Sequence, residues 1–238
     1  PSANGSYMVV ADVARGDGSD YSACHVIDVT NATQVAEYKG KVDTKDFGNF
    51  LVNLSTEYND ALLVVENSNI GWACIQQCID RDYKNLFYMS KDLKYIDIQH
   101  QMTNRYRSEE KGLVAGFSTT SKTRPLIISK LTDYFREKSV IVRSTRLIDE
   151  LFTFIYMNGR AEAMKGYNDD LTMAFSIGLW VRDTALRLRQ EGIDLTKSAV
   201  GGITSNMNQG IYGGGNSMDD NPWKMRVGDG FEDLSQWL

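Results

Sequence analysis

Residues 7–14 of the chain read Tyr-Met-Val-Val-Ala-Asp-Val-Ala, an apolar and β-branched run with one acid, Asp12, inside it. Such a run predicts a strand that is buried on both faces. A second run at 61–65, Ala-Leu-Leu-Val-Val, has the same texture and is followed directly by Glu66. If these two strands lie parallel and side by side, both carboxylates emerge at neighbouring strand ends, where α/β sheets place their ligands.

The segments around these two strands predict the rest of a mixed sheet. Strand-like runs at 22–30 and 33–42 extend the first strand into a three-strand antiparallel meander. Further expected elements are helices at 47–58 and 71–82, a strand at 86–90, a helix from Pro125 to Glu137, a short strand at 140–142, a hairpin turn at 158–160 and a last helix capped by Asn168. This order predicts an α/β fold, a mixed sheet with helices on both faces.

The domain organisation follows from changes in composition along the chain. We predict a globular domain over residues 1–191, interrupted by a long irregular and polar segment at 91–121. Residues 192–238 are rich in Gly, Asn and acids, and predict a tail, because few apolar residues there offset the entropy of ordering. Trp223, Phe231 or Trp237 would anchor it. Because the chain begins at Pro1 without a Met, we expect it to be a fragment of a longer protein.

The composition excludes several classes of protein. The chain has 238 residues, of which 42% are hydrophobic, and this argues against disorder throughout. Three cysteines and two histidines favour a reducing compartment and argue against a Cys/His zinc site. No apolar stretch is long enough to span a membrane and no secretory signal is present, so we expect a soluble protein. The phosphate-binding loop of ATPases is absent.

The charge is unevenly distributed. The formal net charge is -5, but residues 101–146 contain ten basic and four acidic residues, a local net charge of +6. Basic density of this kind suits the DNA backbone, although a solvated helix face is an alternative explanation. The candidates for contacts with DNA phosphates are Lys111, Lys122, Arg124 and Lys130.

Acids at the strand ends are the candidates for chemistry. Asp12, Glu66 and the pair Asp169-Asp170, which opens the last helix, would repel one another at a common site unless divalent cations lay between them. Ligands that are all oxygen suit Mg²⁺ or Mn²⁺, and two such ions perform nuclease chemistry. Each acid also has an ordinary structural explanation, such as a turn, a loop cap or a favourable charge at a helix N-terminus. Asp20 suits either a turn or a further acid of the site.

Four stretches resemble one protein family. They are residues 9–21 around Asp12, residues 63–71 around Glu66, residues 166–174 around Asp170, and Gly116-Phe-Ser-Thr-Thr-Ser-Lys-Thr-Arg-Pro-Leu-Ile. Over residues 6–185 the chain resembles the nuclease domain of the large terminase subunit of tailed bacteriophages. The resemblance implies a ribonuclease H-like fold and a metal-binding triad of Asp12, Glu66 and Asp170. It also implies Asp20 as a further acid, with Asp169 as the neighbour that is easily confused with Asp170.

The function implied by this resemblance is that of a Mg²⁺- or Mn²⁺-dependent endodeoxyribonuclease with a two-metal site, which hydrolyses concatemeric double-stranded DNA during genome packaging. The expected partners are DNA, an ATPase domain missing from this chain, the phage portal and the small terminase subunit, without a membrane. The expected location is the host cytoplasm, transiently at the procapsid portal. The alternatives are a related nuclease of the resolvase or transposase type and a portal-docking module with weak nuclease activity.

Overall fold

The computed structural model describes residues 1–16, 20–68, 70–90, 113–157, 159–184 and 186, and two strands at 224–227 and 230–233. The chain divides into two compact units, Pro1–Glu191 and Gly192–Leu238. Within the described residues, no helix combines the length and the apolar character that crossing a membrane requires.

A four-stranded mixed sheet forms the centre of the first unit. Its strands are β1 (Tyr7–Asp12), β2 (Ser22–Asp28), β3 (Thr33–Gly40) and β4 (Leu62–Val65), in the order β3-β2-β1-β4. The first three form the predicted antiparallel meander, and β4 pairs with β1 in parallel. The predicted parallel neighbours are therefore confirmed, and β1, with its unbroken apolar run, lies between two other strands.

Helices cover both faces of this sheet, as predicted. Strand residues alternate between the two faces, so Val9 packs towards α1 (Thr44–Glu57) and α2 (Gly71–Asp80), whereas Val10 packs towards the opposite face. The opposite face is covered by α3 (Thr123–Arg136), α4 (Thr145–Thr153) and α5, which spans residues 170–184. Each face has its own apolar core, and the acids discussed below belong to the face of α3 and α5.

The parallel side of the sheet extends beyond β4 through short pairings. Phe87 N–H donates to Leu63 O at 2.8 Å, and Phe117 N–H donates to Val65 O at 2.8 Å. A two-stranded ladder of β5 (Tyr88–Ser90) and β6 (Leu113–Ala115) lies between these two contacts in the chain. β6 falls within the segment that the sequence predicted to be irregular, and most of that segment, residues 91–112, lies outside the described residues.

The second half of the first unit differs from the prediction in three places. α3 begins two residues before Pro125, at Thr123, whose N–H donates to the hydroxyl of Thr120 at 3.1 Å. The strand expected at 140–142 is a single bridge between Ile141 and Thr33. α4 was not predicted at all. The expected hairpin is present as β7 (Phe154–Met157) and β8 (Arg160–Ala163), with Gly159 at a φ of +78° in its turn.

In the second unit, β9 (Lys224–Val227) and β10 (Gly230–Asp233) pair antiparallel. The sequence predicted no regular element there. The proposed division of the chain into a nuclease domain at 1–191 and a tail at 192–238 stays a prediction about function.

Candidate functional site

The register of the sheet aligns an acid pair and a lysine in one row. Asp12 ends β1, and it pairs with Ala23 of β2, which in turn pairs with Lys39 of β3. On the other side, Ala11 pairs with Val65 of β4, so Glu66 follows at the level of Asp12. Alternation along each strand places Asp12 on the face of Val10 and Glu66 on that of Val64, the face that α5 covers. Two acids and one cation thus share one row on one face.

Asp12 and Glu66 form a close acidic pair. Burial raises the pKa of Asp12 well above its ordinary value, and the charge of Glu66 and a side-chain hydrogen bond with it raise that pKa further. The charges of Asp170 and Asp169 act in the same direction. A proton shared between two carboxylates relieves their repulsion, and a divalent cation would do the same. This pair is therefore the part of the site where a positive charge is most needed.

The loop after β4 is held tightly, which fixes the position of Glu66. The side chain of Asn67 donates to Ala115 O at 3.0 Å and accepts from the Ser118 hydroxyl at 2.9 Å. Gly71 begins α2 directly against this loop, and a Cβ added to it would lie 1.9 Å from the carbonyl oxygen of Glu66. Only glycine fits at that position without displacing the backbone of the candidate catalytic residue.

Asp170 is the first residue of α5 and joins the same row from above the sheet. Its Oδ2 lies 3.4 Å from Lys39 Nζ and accepts the N–H of Tyr21 at 3.3 Å. Burial raises the pKa of Asp170, the charge of Lys39 lowers it, and Glu150 raises it, with a net pKa above the ordinary value. Lys39 therefore neutralises Asp170 only in part.

Glu150 of α4 is the stronger partner of Lys39. The Lys39 ammonium donates to Glu150 Oε1, while Oε2 accepts the N–H of Thr172 at 2.9 Å. That N–H is one of the four at the start of α5 without a partner inside the helix. Burial alone lowers the pKa of Lys39, but the hydrogen bond and charge of Glu150, with those of Asp170, outweigh it and raise that pKa above its ordinary value.

Neither Lys39 nor Glu150 was predicted from the sequence. The sequence predicted that the acids would repel one another unless divalent cations lay between them, whereas the structure supplies Asp170 with a basic partner from β3, two strands away from β1. Lys39 is the one basic residue of β3, and an isolated lysine on a strand gives no signal in the sequence. Glu150 was detectable in principle, because Ser144 caps α4 and Leu147 lies three residues before Glu150, on the same buried side.

Asp169 and Asp170 are neighbours in the chain but have different ion-pair partners. Its Oδ2 accepts from Arg124 Nη2 at 2.7 Å, and the same guanidinium donates to the carbonyl oxygen of Ala161 at 3.1 Å. Arg124 thus connects α3 and β8 with the start of α5. Asp169 faces a cation that was predicted to bind DNA, and Asp170 faces the row on the sheet.

The other predicted site residues are dispersed. Lys122 is exposed next to α3, and Lys130 forms an ion pair with Asp183 at 2.8 Å. Asp20 is exposed before β2. Lys111 lies outside the described residues. The structure therefore brings Asp12, Glu66 and Asp170 into one neighbourhood, and the roles of all the predicted residues in metal and DNA binding stay predictions.

The donor chemistry of this neighbourhood fits a hard divalent cation. It offers carboxylate oxygens alone, with a buried acid pair whose repulsion a cation would relieve. Among the described residues, no group of three or more His, Cys, Asp or Glu side chains is gathered closely enough to hold a metal ion as the side chains lie.

Comparison with known proteins gives the fold. No protein-family model matches the chain. The crystal structure of the large terminase nuclease from thermophilic phage G20c with bound magnesium is 17% identical, with a TM-score of 0.56, over 75% of this chain and 82% of that one. The same nuclease with bound cobalt gives a TM-score of 0.51 at 17% identity, over 75% and 82%.

A third solved structure agrees with these two. The large terminase nuclease domain of Thermus phage P74-26 is 20% identical, with a TM-score of 0.50, over 74% of this chain and 78% of that one. The chain thus has the ribonuclease H-like fold of large terminase nucleases, as the sequence resemblance implied.

Proposed function

We propose that this chain is the nuclease domain of a phage large terminase subunit, an endonuclease that depends on Mg²⁺ or Mn²⁺ and hydrolyses double-stranded DNA. The observation that carries the proposal is the pairing of Asp12 with Glu66 at the ends of two parallel strands, with Asp170 above the same row. The magnesium and cobalt bound to neighbours of the same fold support a divalent ion here.

Asp12, Glu66 and Asp170 are the residues that would hold the metal, with Asp20 and Asp169 as further acids. A pair of bound ions would supply an activated water and stabilise the leaving oxygen of the phosphodiester. The residues of the chain position this site: Asn67 and Gly71 fix Glu66, and Glu150 fixes Lys39 and the start of α5. A phosphodiester is anionic and is repelled by the carboxylates of the site. The positive charge of Lys39 beside Asp170 makes its approach less unfavourable.

The substrate and partners of this proposal come from the terminase resemblance. The DNA would be concatemeric and double-stranded, cut during genome packaging, with phosphate contacts from Lys111, Lys122, Arg124 and Lys130. The ATPase domain, the portal and the small terminase subunit would be the protein partners. The place of action would be the host cytoplasm, at the procapsid portal.

A cleavage assay tests the proposal. We expect the chain to cut supercoiled plasmid in Mg²⁺ or Mn²⁺, to stop in EDTA, and to lose cutting in Asp12→Asn. Asp46→Asn is the control, because Asp46 is exposed in the first turn of α1. Cutting by Asp12→Asn at the rate of the parent would contradict the role of the acid pair. Comparing branched with linear duplexes separates a terminase nuclease from a resolvase, since a resolvase prefers the branched form.

A further inference from the structure

A cavity of about 460 Å³ lies between the β7–β8 hairpin and the loop that leads into α3. Its volume is within the range of small-ligand pockets. The lining combines two chemistries. One part is polar and cationic, with hydroxyls of the loop 119–121 and the guanidiniums of Arg124 and Arg160, and the other is formed by Tyr156, Pro125 and Ile128.

Three of the lining side chains have features that no contact within the described part of the chain explains. The hydroxyl oxygen of Thr119 is buried and has no hydrogen-bond partner within the described part of the chain. Tyr156 leaves 73% of its surface exposed, although a tyrosine ring is costly to leave in water. Arg160 is exposed and forms no ion pair with any described residue. A buried hydroxyl, an exposed aromatic ring and an exposed cation therefore line one cavity.

The cavity adjoins the candidate active site through a direct link. Arg124, which lines it, donates to Asp169 at 2.7 Å and to the carbonyl oxygen of Ala161 at 3.1 Å. Asp169 is followed by Asp170, the candidate metal ligand. A ligand in the cavity would thus lie next to Arg124, whose ion-pair partner Asp169 directly precedes the candidate metal ligand Asp170.

We propose that this cavity binds one unpaired nucleotide of the DNA strand next to the cleavage site, an inference that rests on the proposed nuclease function. The base stacks on Tyr156 and contacts Pro125, and the phosphate meets Arg160 and the exposed loop residues Thr120 and Ser121. Aromatic stacking with a nearby cation is how proteins hold unpaired bases. A paired base has both faces covered by its neighbours in the stack, so it does not enter a concave cavity of this kind.

The test measures binding in the full chain carrying Asp12→Asn, so that DNA is not cut. Two duplexes of the same sequence are compared, one fully paired and one with a single unpaired 2-aminopurine nucleotide. We expect the unpaired duplex to bind about tenfold more tightly by fluorescence anisotropy, with quenching of the 2-aminopurine as it stacks. Tyr156→Ala should abolish both the preference and the quenching, and Tyr156→Trp should keep them. Arg160→Ala should weaken binding of the unpaired duplex severalfold.

The controls are matched in chemistry and lie away from the cavity. Phe152→Ala removes an aromatic ring that is 80% exposed, and Arg136→Ala removes an exposed cation at the end of α3. Both should keep the preference for the unpaired duplex. Equal affinity of the parent for the two duplexes, or a preference that survives Tyr156→Ala, overturns the cavity proposal while plasmid cleavage still supports the nuclease. Absence of plasmid cleavage and of binding to either duplex overturns both.

Discussion

Lys39 Nζ lies 3.4 Å from Oδ2 of Asp170 and donates a hydrogen bond to Glu150. One ammonium group on β3 therefore contacts both the first residue of α5 and a residue within α4. The side chains of Lys39, Asp170 and Glu150 are only 15%, 13% and 10% exposed. At this depth the removal of a charge leaves its partners without compensation.

Lys39→Met should lower the free energy of unfolding by about 3 kcal/mol, because two nearly buried carboxylates lose their cation. Lys84→Met is the control, since Lys84 forms the same kind of ion pair with Asp82 but is 76% exposed. That exposed pair should contribute less than about 1 kcal/mol. Urea denaturation measures both, and equal losses in the two variants would show that the buried cation has no special role.

Mn²⁺ should raise the Tm of Lys39→Met more than that of the parent, because the ion meets less competition for Asp170.

Asp12→Asn should stabilise the metal-free protein at neutral pH. The pKa of Asp12 is raised in the folded state, first by burial and then by Glu66. The folded protein therefore binds this proton more tightly than the unfolded chain, and stability falls as the pH rises above the ordinary pKa. Asparagine carries no charge, so in EDTA at pH 8 we expect a Tm at least about 2 °C above that of the parent, the effect of about 1 kcal/mol.

Divalent ions should reverse the order of the two Tm values, so that the parent melts at a higher temperature than Asp12→Asn. Mg²⁺ or Mn²⁺ should raise the Tm of the parent and have less effect on Asp12→Asn, because an ion that binds the folded state stabilises it. Thermal melts with and without the ion measure this. A Tm of Asp12→Asn below that of the parent in EDTA would show that the acid pair carries no stored repulsion.

Gly71→Ala should impair cutting, whereas Gly178→Ala should not. The Cβ of the first variant meets the backbone carbonyl oxygen of Glu66 at 1.9 Å, and a backbone atom cannot move without carrying Glu66 with it. The Cβ of the second meets side-chain methyl groups, of Ile27 at 2.7 Å and of Val10 at 3.0 Å, and no backbone atom of the site. Gly178 lies inside a helix, where alanine is also favoured over glycine by about 1 kcal/mol. We expect the free energy of unfolding of Gly71→Ala to fall by about 1–3 kcal/mol. Plasmid cleavage that is equal in the two variants would contradict a role for Gly71 in placing Glu66.

Lys122→Ala and Lys130→Ala should differ in the salt dependence of DNA binding. Lys122 is exposed and has no ion pair among the described residues, while Lys130 is paired with Asp183 at 2.8 Å. A lysine that contacts a phosphate contributes about one unit to the slope of log affinity against log salt. The slope should fall by about one in Lys122→Ala and by less in Lys130→Ala. An unchanged slope in both would move the DNA path away from α3.

The sheet could be predicted from the sequence because each strand is marked by residues that are consecutive in the chain. The β1 and β4 runs are unbroken and apolar, and the acid that ends each run stands out against them. Parallel pairing then follows from the buried character of both strands. The short β6 strand and the α4 helix gave weaker patterns, and β6 lies within a polar segment, so composition alone favoured a loop there.

The site was only half predictable because its cations come from other elements. The acids lie in distinct motifs, but Lys39 reaches them through the register of β1, β2 and β3, with Ala23 between it and Asp12. Arg124 was identified as a basic residue, and its partner Asp169 lies 45 positions later in the chain. Pairings over such distances depend on the folded sheet and leave no spacing rule in the sequence.

His25 connects the start of α5 to the sheet, which gives a prediction about pH. Its Nε2 lies 2.9 Å from Leu171 O, so the ring donates there, and its Nδ1 accepts from Gln34 at 2.8 Å. Gln34 in turn accepts the N–H groups of Arg143 and Ser144 at 2.8 Å. This chain of hydrogen bonds needs a neutral ring, and burial lowers the pKa of His25 to about 4.

The pH dependence of this stabilisation follows from the lowered pKa. Between pH 4 and about 6.5 the unfolded chain binds a proton at His25 that the folded protein does not, so stability is complete above pH 6.5 and declines as the pH falls, by about 1.4 kcal/mol per unit. His25→Gln should lose about 1–3 kcal/mol at pH 7, because buried hydrogen-bonding groups lose a partner. It should also lack this decline, so its deficit relative to the parent shrinks towards pH 4.5. Urea denaturation of both proteins from pH 4.5 to 7.5 measures the deficit, and a deficit that stays constant across that range would show that His25 does not titrate on unfolding.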